Sequence, residues 1–307
     1  MPVSNIPLIF DRKLHRLRRN RAAKKFGSYS FLKQRAAEDL ADRLEAILRE
    51  IPLVLDLGCH NGTLSTELHS RMELSARMDS IVSMDMSEKF ARSADLSVCA
   101  DEEFLPFRDN TFDAVVSSLS LHWVNDLPGS LIQICNTLKP DSFFVGQMFG
   151  GATLNELREC LLSAEAEMTG GAVMRVSPFA GVEDLSQLLQ RTGFQMPVAD
   201  RDIVTVRYET PIALLQDLRG MGETSAFMSE EHRKLPRKVL FRAMELYVER
   251  HGEPDGRVKA TFEIITASGW SPGPNQPKPL RPGSAKARLA DALGVKEQSA
   301  GPNHLKG

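Results

Sequence analysis

The sequence is poor in the residues that build metal and disulfide scaffolds. Its 307 residues contain four cysteines, Cys59, Cys99, Cys135 and Cys160. None forms a C-x-x-C pair and no histidine stands at zinc-ligand spacing, which argues against structural zinc. A chain of this length buries a core without staples, and the cysteine pattern suits a reducing compartment. No apolar run approaches the roughly 20 residues of a membrane span, and the first residues lack a secretory apolar segment. The formal net charge of −2 gives no overall attraction for nucleic acid, and none is expected as a partner. There is no internal repeat, and no metal site is expected.

The charge that is present is unevenly placed. Residues 1–35 carry ten Lys or Arg, including Arg12, Arg19 and Lys33, against the single acid Asp11. Such an arm suits an acidic partner or peripheral contact with an anionic surface; with equal weight it reads as a solvated helix face. The stretch is Arg-rich and acid-poor like a transit peptide, but it runs directly into helical periodicity and is read as part of the fold.

Helices are expected over 12–25 and 31–49, the second with Phe31, Leu32, Ala36, Leu40, Leu44, Ile47 and Leu48 on one face. Pro52 breaks the pattern, and Leu53–Leu57 reads as a buried strand ending at Gly58. A helix over 63–72, strands at 81–84, 96–100 and 112–119, a helix at 131–138 and a strand at 143–148 follow. This alternation predicts an α/β fold with a parallel-rich sheet covered by helices on both faces. Helices at 154–168 and 182–192 and strands at 203–208 and 261–267 would complete it. Residues about 209–255, with helical stretches at 211–219 and 230–250, read as a cap. The expected organisation is a basic helical segment over 1–49, a ligand-binding domain over 50–270 and a Pro-rich, flexible tail over 271–307, with a short helical pattern at 284–293.

The chemistry centres on Asp56-Leu57-Gly58-Cys59-His60-Asn61-Gly62, a strand-to-helix turn. Its glycines allow a tight turn and close approach of a ligand, and in open α/β sheets the ligand crevice lies beyond the carboxyl ends of the strands. The D-x-G-x-x-x-G spacing differs from the dinucleotide fingerprint, and the carboxylate disfavours a diphosphate. A ligand bearing an ammonium and a sulfonium tolerates it. Asp85, at the end of the second strand, follows Gly62 by 23 residues and suits ribose hydroxyls. Ala100-Asp101-Glu102-Glu103-Phe104-Leu105-Pro106-Phe107 offers Asp101 to an adenine amino group, with Glu102 beside it, and Ser118, within the fourth strand, is a further cofactor-binding candidate.

The order of these pieces resembles the class I (Rossmann-like) methyltransferases, which implies S-adenosylmethionine as cofactor. Ile9-Phe10-Asp11-Arg12, Ala100–Phe107, residues 110–128 (NTFDAVVSSLSLHWVNDLP), Leu138–Asp141, Met148–Gly151, Ser177-Pro178-Phe179, Leu218–Glu223 and Gly269-Trp270 narrow the likeness. They resemble the respiratory complex I assembly factor 5 family of mitochondria and alphaproteobacteria. The resemblance implies a complex I subunit or assembly intermediate as partner, hydroxylation of an arginine, and a bacterial cytoplasm or a mitochondrial matrix. That family usually has glycine at the position of His60, whose side chain is expected to point to solvent.

Two other readings stand beside this one. The layout also resembles the malonyl-carrier-protein O-methyltransferases of biotin synthesis, for which His122 would be a base or substrate contact and Arg219 a carboxylate ligand. The third is a binding module that keeps the cofactor for stability and transfers nothing.

Overall fold

The computed structural model describes residues 8–92, 94, 96–229, 234–274, 276 and 294; the expected helix at 284–293 lies outside them, as does most of the tail. Seven strands form one sheet: β1 Leu53–Leu57, β2 Ser80–Asp85, β3 Ser97–Cys99, β4 Phe112–Ser118, β5 Leu138–Phe149, β6 Gln195–Tyr208 and β7 Val258–Trp270. Their order is β3-β2-β1-β4-β5-β7-β6. The first five pair in parallel, as the strand–helix alternation requires, and β7 runs antiparallel between β5 and β6. The strand order reverses beside β1, so the carboxyl ends of β1 and β4 diverge there and open a crevice.

The helices are α1 Arg12–Ala22, α2 Phe31–Glu45, α3 Thr63–Ser70, α4 Met72–Ser75, α5 Glu88–Ala91, α6 Leu127–Thr137, α7 Asn155–Thr169, α8 Val182–Arg191, α9 Pro211–Met221 and α10 Arg237–His251. The period-2 alternation of β1 sends Val54 to one face and Leu55 to the other. Val54, Ala114, Val116 and Phe143 pack under Leu40 and Leu44 of α2 and Leu64 and Leu68 of α3. Leu55, Val115 and Phe144 pack under Leu131 and Ile134 of α6 and Leu185 and Leu189 of α8. Burial of each Val, Leu, Ile or Phe side chain here contributes about 1.5–3 kcal/mol. A third apolar cluster joins Leu157 and Leu161 of α7, Leu214 of α9, Tyr247 of α10 and Phe262 of β7.

α1 begins beside the site because its first turn is pinned there. Asp11 caps it, accepting from the Leu14 N–H at 2.9 Å, and donates its own N–H to the Ala226 carbonyl at 2.8 Å. Phe10 pairs with Phe227 in a one-residue bridge and packs edge-on against Trp123. α1 is therefore anchored to the loop after α9, and one face of it lies over the crevice.

Candidate functional site

β1 delivers Asp56 and the following turn to the crevice. Gly58 and Gly62 both adopt left-handed φ, +75° and +78°. A Cβ on Gly58 would stand 2.3 Å from the Ser120 Cβ, so only glycine fits there. Asp56 is fully buried; its Oδ2 accepts from Ser65 Oγ at 3.0 Å and its Oδ1 has no partner. Burial pushes its carboxyl up to about 6. Ser118, at the end of β4, has a buried Oγ without a partner. Asp85 ends β2, and Asp101 and Glu102 follow β3, so the topology brings together the acids assigned from sequence to a nucleoside.

These acids are already engaged by the chain itself. Asp85 is fully buried and is gripped by Arg19 of α1, whose Nη2 pairs with Oδ2 and whose Nε donates to Oδ1 at 3.3 Å. It also accepts from the N–H groups of Ser87 and His60, at 2.8 and 3.0 Å. Arg12, also on α1, pairs with Asp101 Oδ1 at 2.5 Å and with Glu102, and donates to the Trp123 carbonyl at 3.1 Å. Glu102 in turn accepts from Ser120 Oγ at 2.9 Å. Lys33 of α2 is buried and donates to the carbonyls of Gly58 at 3.0 Å and Ser118 at 2.5 Å. Its burial lowers the ammonium pKa to about 8.

His60 corrects the expectation that it faces solvent: only 2% of it is exposed. Its backbone has φ +50°, the left-handed region, which explains why glycine suits this position. The turn thereby aims the ring inward, between Phe26 and Phe90 at 5.2 and 5.4 Å. Nε2 lies 2.7 Å from Arg19 Nη1 and Nδ1 lies 2.7 Å from the Gly58 carbonyl. A guanidinium only donates, so Nε2 accepts and the neutral ring carries its proton on Nδ1, which also lies 2.9 Å from Lys33 Nζ. Burial, reinforced by Arg19 and Lys33, holds the ring's pKa well below the usual histidine value and keeps it neutral.

A separate cavity of ≈ 240 Å³ lies between the sheet end, α7 and α9. Leu154, Leu157, Phe149, Phe179, Leu218 and Phe262 supply much of its wall, and Arg175, Arg219, Glu223 and Ser225 supply polar groups. Ser225 Oγ is buried without a partner. Arg175 is committed to Glu165. Glu223 Oε2 accepts from Trp123 Nε1 at 2.8 Å and meets His122 Nε2 at 3.1 Å. Its Oε1 takes no hydrogen bond among the described residues. A smaller space of ≈ 20 Å³, bounded by His60, Lys33, Leu119 and Glu223, lies toward the crevice. It has room for about one water.

Of the residues assigned from sequence, Asp56, Gly58, Gly62, Asp85, Asp101, Glu102 and Ser118 line or flank one crevice. Arg219 lines the larger cavity, whereas His122 stands behind Trp123 and Glu223 and does not line it. Glu223 carries no signal of its own in the sequence, and Arg12, Arg19 and Lys33, expected there in a basic arm toward a partner or solvent, instead turn into the fold, with Arg19 and Lys33 buried. The basic run of residues 12–35 is the available signal, but its spacing does not reveal that Arg12 and Arg19 turn inward to the crevice acids and Lys33 to the carbonyls of Gly58 and Ser118. Among the described residues no cluster of three or more His, Cys, Asp or Glu is arranged to hold a metal.

A family model described as a methyltransferase domain matches residues 55–146, the segment running from β1 through most of β5. The chain is 40% identical over 288 residues to the arginine hydroxylase NDUFAF5, mitochondrial, of Danio rerio, covering 92% of this chain and 89% of that one. It is 30% identical over 268 residues to the malonyl-[acyl-carrier protein] O-methyltransferase of Halorhodospira halophila, covering 86% of this chain and 89% of the relative. Among solved structures it resembles the YcgJ protein of Bacillus subtilis, with a TM-score of 0.53 at 12% identity, covering 77% of this chain and 98% of that one. That likeness is one of fold.

Proposed function

The chain belongs to the family of the arginine hydroxylase NDUFAF5, and from that membership we propose an enzyme that acts on an arginine side chain of a protein subunit during respiratory complex I assembly. Glu223 is the observation that carries the reading. It presents a carboxylate to a cavity whose walls are mostly apolar. The methylenes of an arginine lie favourably on apolar surface while the guanidinium reaches a carboxylate. Glu223 Oε1 is available for that bond, because Trp123 and His122 hold the side chain through Oε2. His122 is then a positioning residue for Glu223. The subunit is the partner, met in a bacterial cytoplasm or a mitochondrial matrix.

We further propose that the crevice from Asp56 to Asp101 is built for S-adenosylmethionine. Its residue types suit the ligand: the Gly58 and Gly62 turn, Asp85 for hydroxyl groups, Asp101 for an amino group, and the unpartnered Asp56 Oδ1 and Ser118 Oγ. As folded here it does not admit the molecule, because Arg19, Arg12 and the backbone N–H of His60 occupy the acids' acceptor positions.

A second reading is supported by Arg219, which reaches the same cavity and suits a substrate carboxylate, as methylation of a malonyl thioester would need. Mass spectrometry of complex I subunits separates the two. In a deletion strain, an arginine should lose the mass of one oxygen relative to wild type, and a gene carrying Glu223→Gln should fail to restore it. An arginine mass unchanged by the deletion would remove the first reading. Formation of a malonyl-carrier methyl ester by purified protein with S-adenosylmethionine would install the second.

A further inference from the structure

We propose that α1 is a displaceable plug of the nucleoside crevice, so that docking of α1 and binding of an adenosyl ligand exclude one another. The inference rests on the assignment of the crevice to such a ligand. Arg12, His15 and Arg19 recur at steps of three and four and share one helix face. Arg12 and Arg19 are seven residues apart, about 10.5 Å along the helix axis. The two guanidiniums meet acids assigned to opposite ends of a nucleoside: Arg19 takes Asp85, and Arg12 takes Asp101 and Glu102. His15, between them, is buried and stacks on Trp123 at 4.5 Å.

The contacts are competitive in kind. Ribose hydroxyls and an adenine amino group are donors, and so are guanidinium N–H groups. Both sets need the lone pairs of Asp85 and Asp101, and Arg19 engages both oxygens of Asp85. His60 reinforces the plug from the other side: its Nε2 accepts from Arg19 Nη1, and its ring stands between Phe26 and Phe90. α1 has arginines and a lysine but no acid of its own, so the crevice acids supply the countercharge for its inward face. A ligand that takes those acids withdraws that countercharge and favours the undocked helix. By linkage the docked helix weakens the ligand to the same degree. The pin at Asp11 and Ala226 leaves α1 a fixed end about which to swing.

The test uses the full chain and S-adenosylhomocysteine, with calorimetry for affinity and hydrogen exchange for α1. Saturating ligand should raise amide exchange in residues 12–22 of the wild-type protein at least tenfold. Arg19→Gln and His60→Gly should each bind at least tenfold tighter than wild type. His60→Gly leaves the Arg19–Asp85 pair in place and relieves a left-handed backbone, so it guards against a misfolded Arg19 variant. Binding by wild type with exchange in α1 unchanged or slowed would overturn the plug and leave the cofactor assignment standing, as would variants that bind no tighter. Failure of every protein to bind would overturn the cofactor assignment and the plug with it.

Discussion

The turn after β1 contains a built-in control for how much of its glycine requirement is backbone strain and how much is crowding. Gly58 and Gly62 have nearly the same φ, +75° and +78°. A side chain at Gly62 meets nothing within 4 Å, whereas a Cβ at Gly58 falls 2.3 Å from both Cβ and Oγ of Ser120. An L-residue in the left-handed region costs about 1–2 kcal/mol, offset by about 0.4–1 kcal/mol of lost unfolded-state freedom. Gly62→Ala should therefore destabilise by about 0–1.6 kcal/mol. Gly58→Ala carries the same strain plus overpacking of about 1–3 kcal/mol. The difference corresponds to a midpoint roughly 2–5 °C lower by thermal melting. Crowding is isolated by a double-mutant cycle with Ser120→Gly, which itself costs stability through the lost bond to Glu102. In that background the penalty of Gly58→Ala should shrink to that of Gly62→Ala, a coupling of about 1–3 kcal/mol. Equal melting points for the two alanine variants, or zero coupling with Ser120, would refute the close approach of the turn to Ser120.

Buried titration gives a second expectation. The folded Asp56 carboxyl titrates at about 6, above its ordinary value. Between about pH 4 and 6 the unfolded chain ionises before the folded one, so Asp56 costs stability progressively as pH rises through that window. Lys33, lowered to about 8, works oppositely: from about pH 8 to 10 the folded chain releases its proton first, and stability rises. Urea midpoints should show the acid-side slope in the wild type and its loss in Asp56→Asn; identical slopes would contradict the burial of an ionising Asp56. Glu223→Leu should leave His122 and the Trp123 indole N–H without their acceptor and cost about 1–3 kcal/mol, with a shift in Trp123 fluorescence; an unchanged spectrum and midpoint would show that Oε2 does not hold them. Phe262→Ala, at a fully buried position of β7, should cost about 3–5 kcal/mol by chemical denaturation, and a loss below 1 kcal/mol would argue against the cluster it shares with α7 and α10.

The strands that build the crevice were legible because their sequences obey one local rule. Leu53–Leu57 is apolar but for Asp56 between Pro52 and Gly58, and a strand buried on both faces needs little else. Local rules gave out where position in the sheet took over. β6 starts at Gln195 rather than Ile203, and its early residues include Asp200, Arg201 and Asp202; it is an edge strand, where charge is tolerated and guards against further pairing. α6 starts at Leu127 because Asp126 caps it and Pro128 suits a first turn, although Leu-Pro-Gly-Ser reads as a loop. The acids of the site were legible from their spacing along the chain. Their cations were not. Nothing local separates Arg19 from Arg16 or Arg18; the difference is that Asp85, 66 residues away, lies beneath Arg19. His60 failed for a related reason, since the left-handed turn that aims its ring inward is set by the whole loop.

The strand order has a consequence for how the chain comes to be folded. Of the seven strands among the described residues β7 is the last to leave the ribosome, yet it lies between β5 and β6 and pairs with both. Until residue 270 has emerged, β5 is an open sheet edge, and β6 has no neighbour in the sheet. A nascent chain that has completed the entire methyltransferase-domain segment must therefore wait for more than a hundred further residues before its central edge is closed. Such an edge is a site for mispairing. Ribosome stalling or premature truncation anywhere between β5 and β7 should thus yield aggregating fragments rather than a smaller working domain.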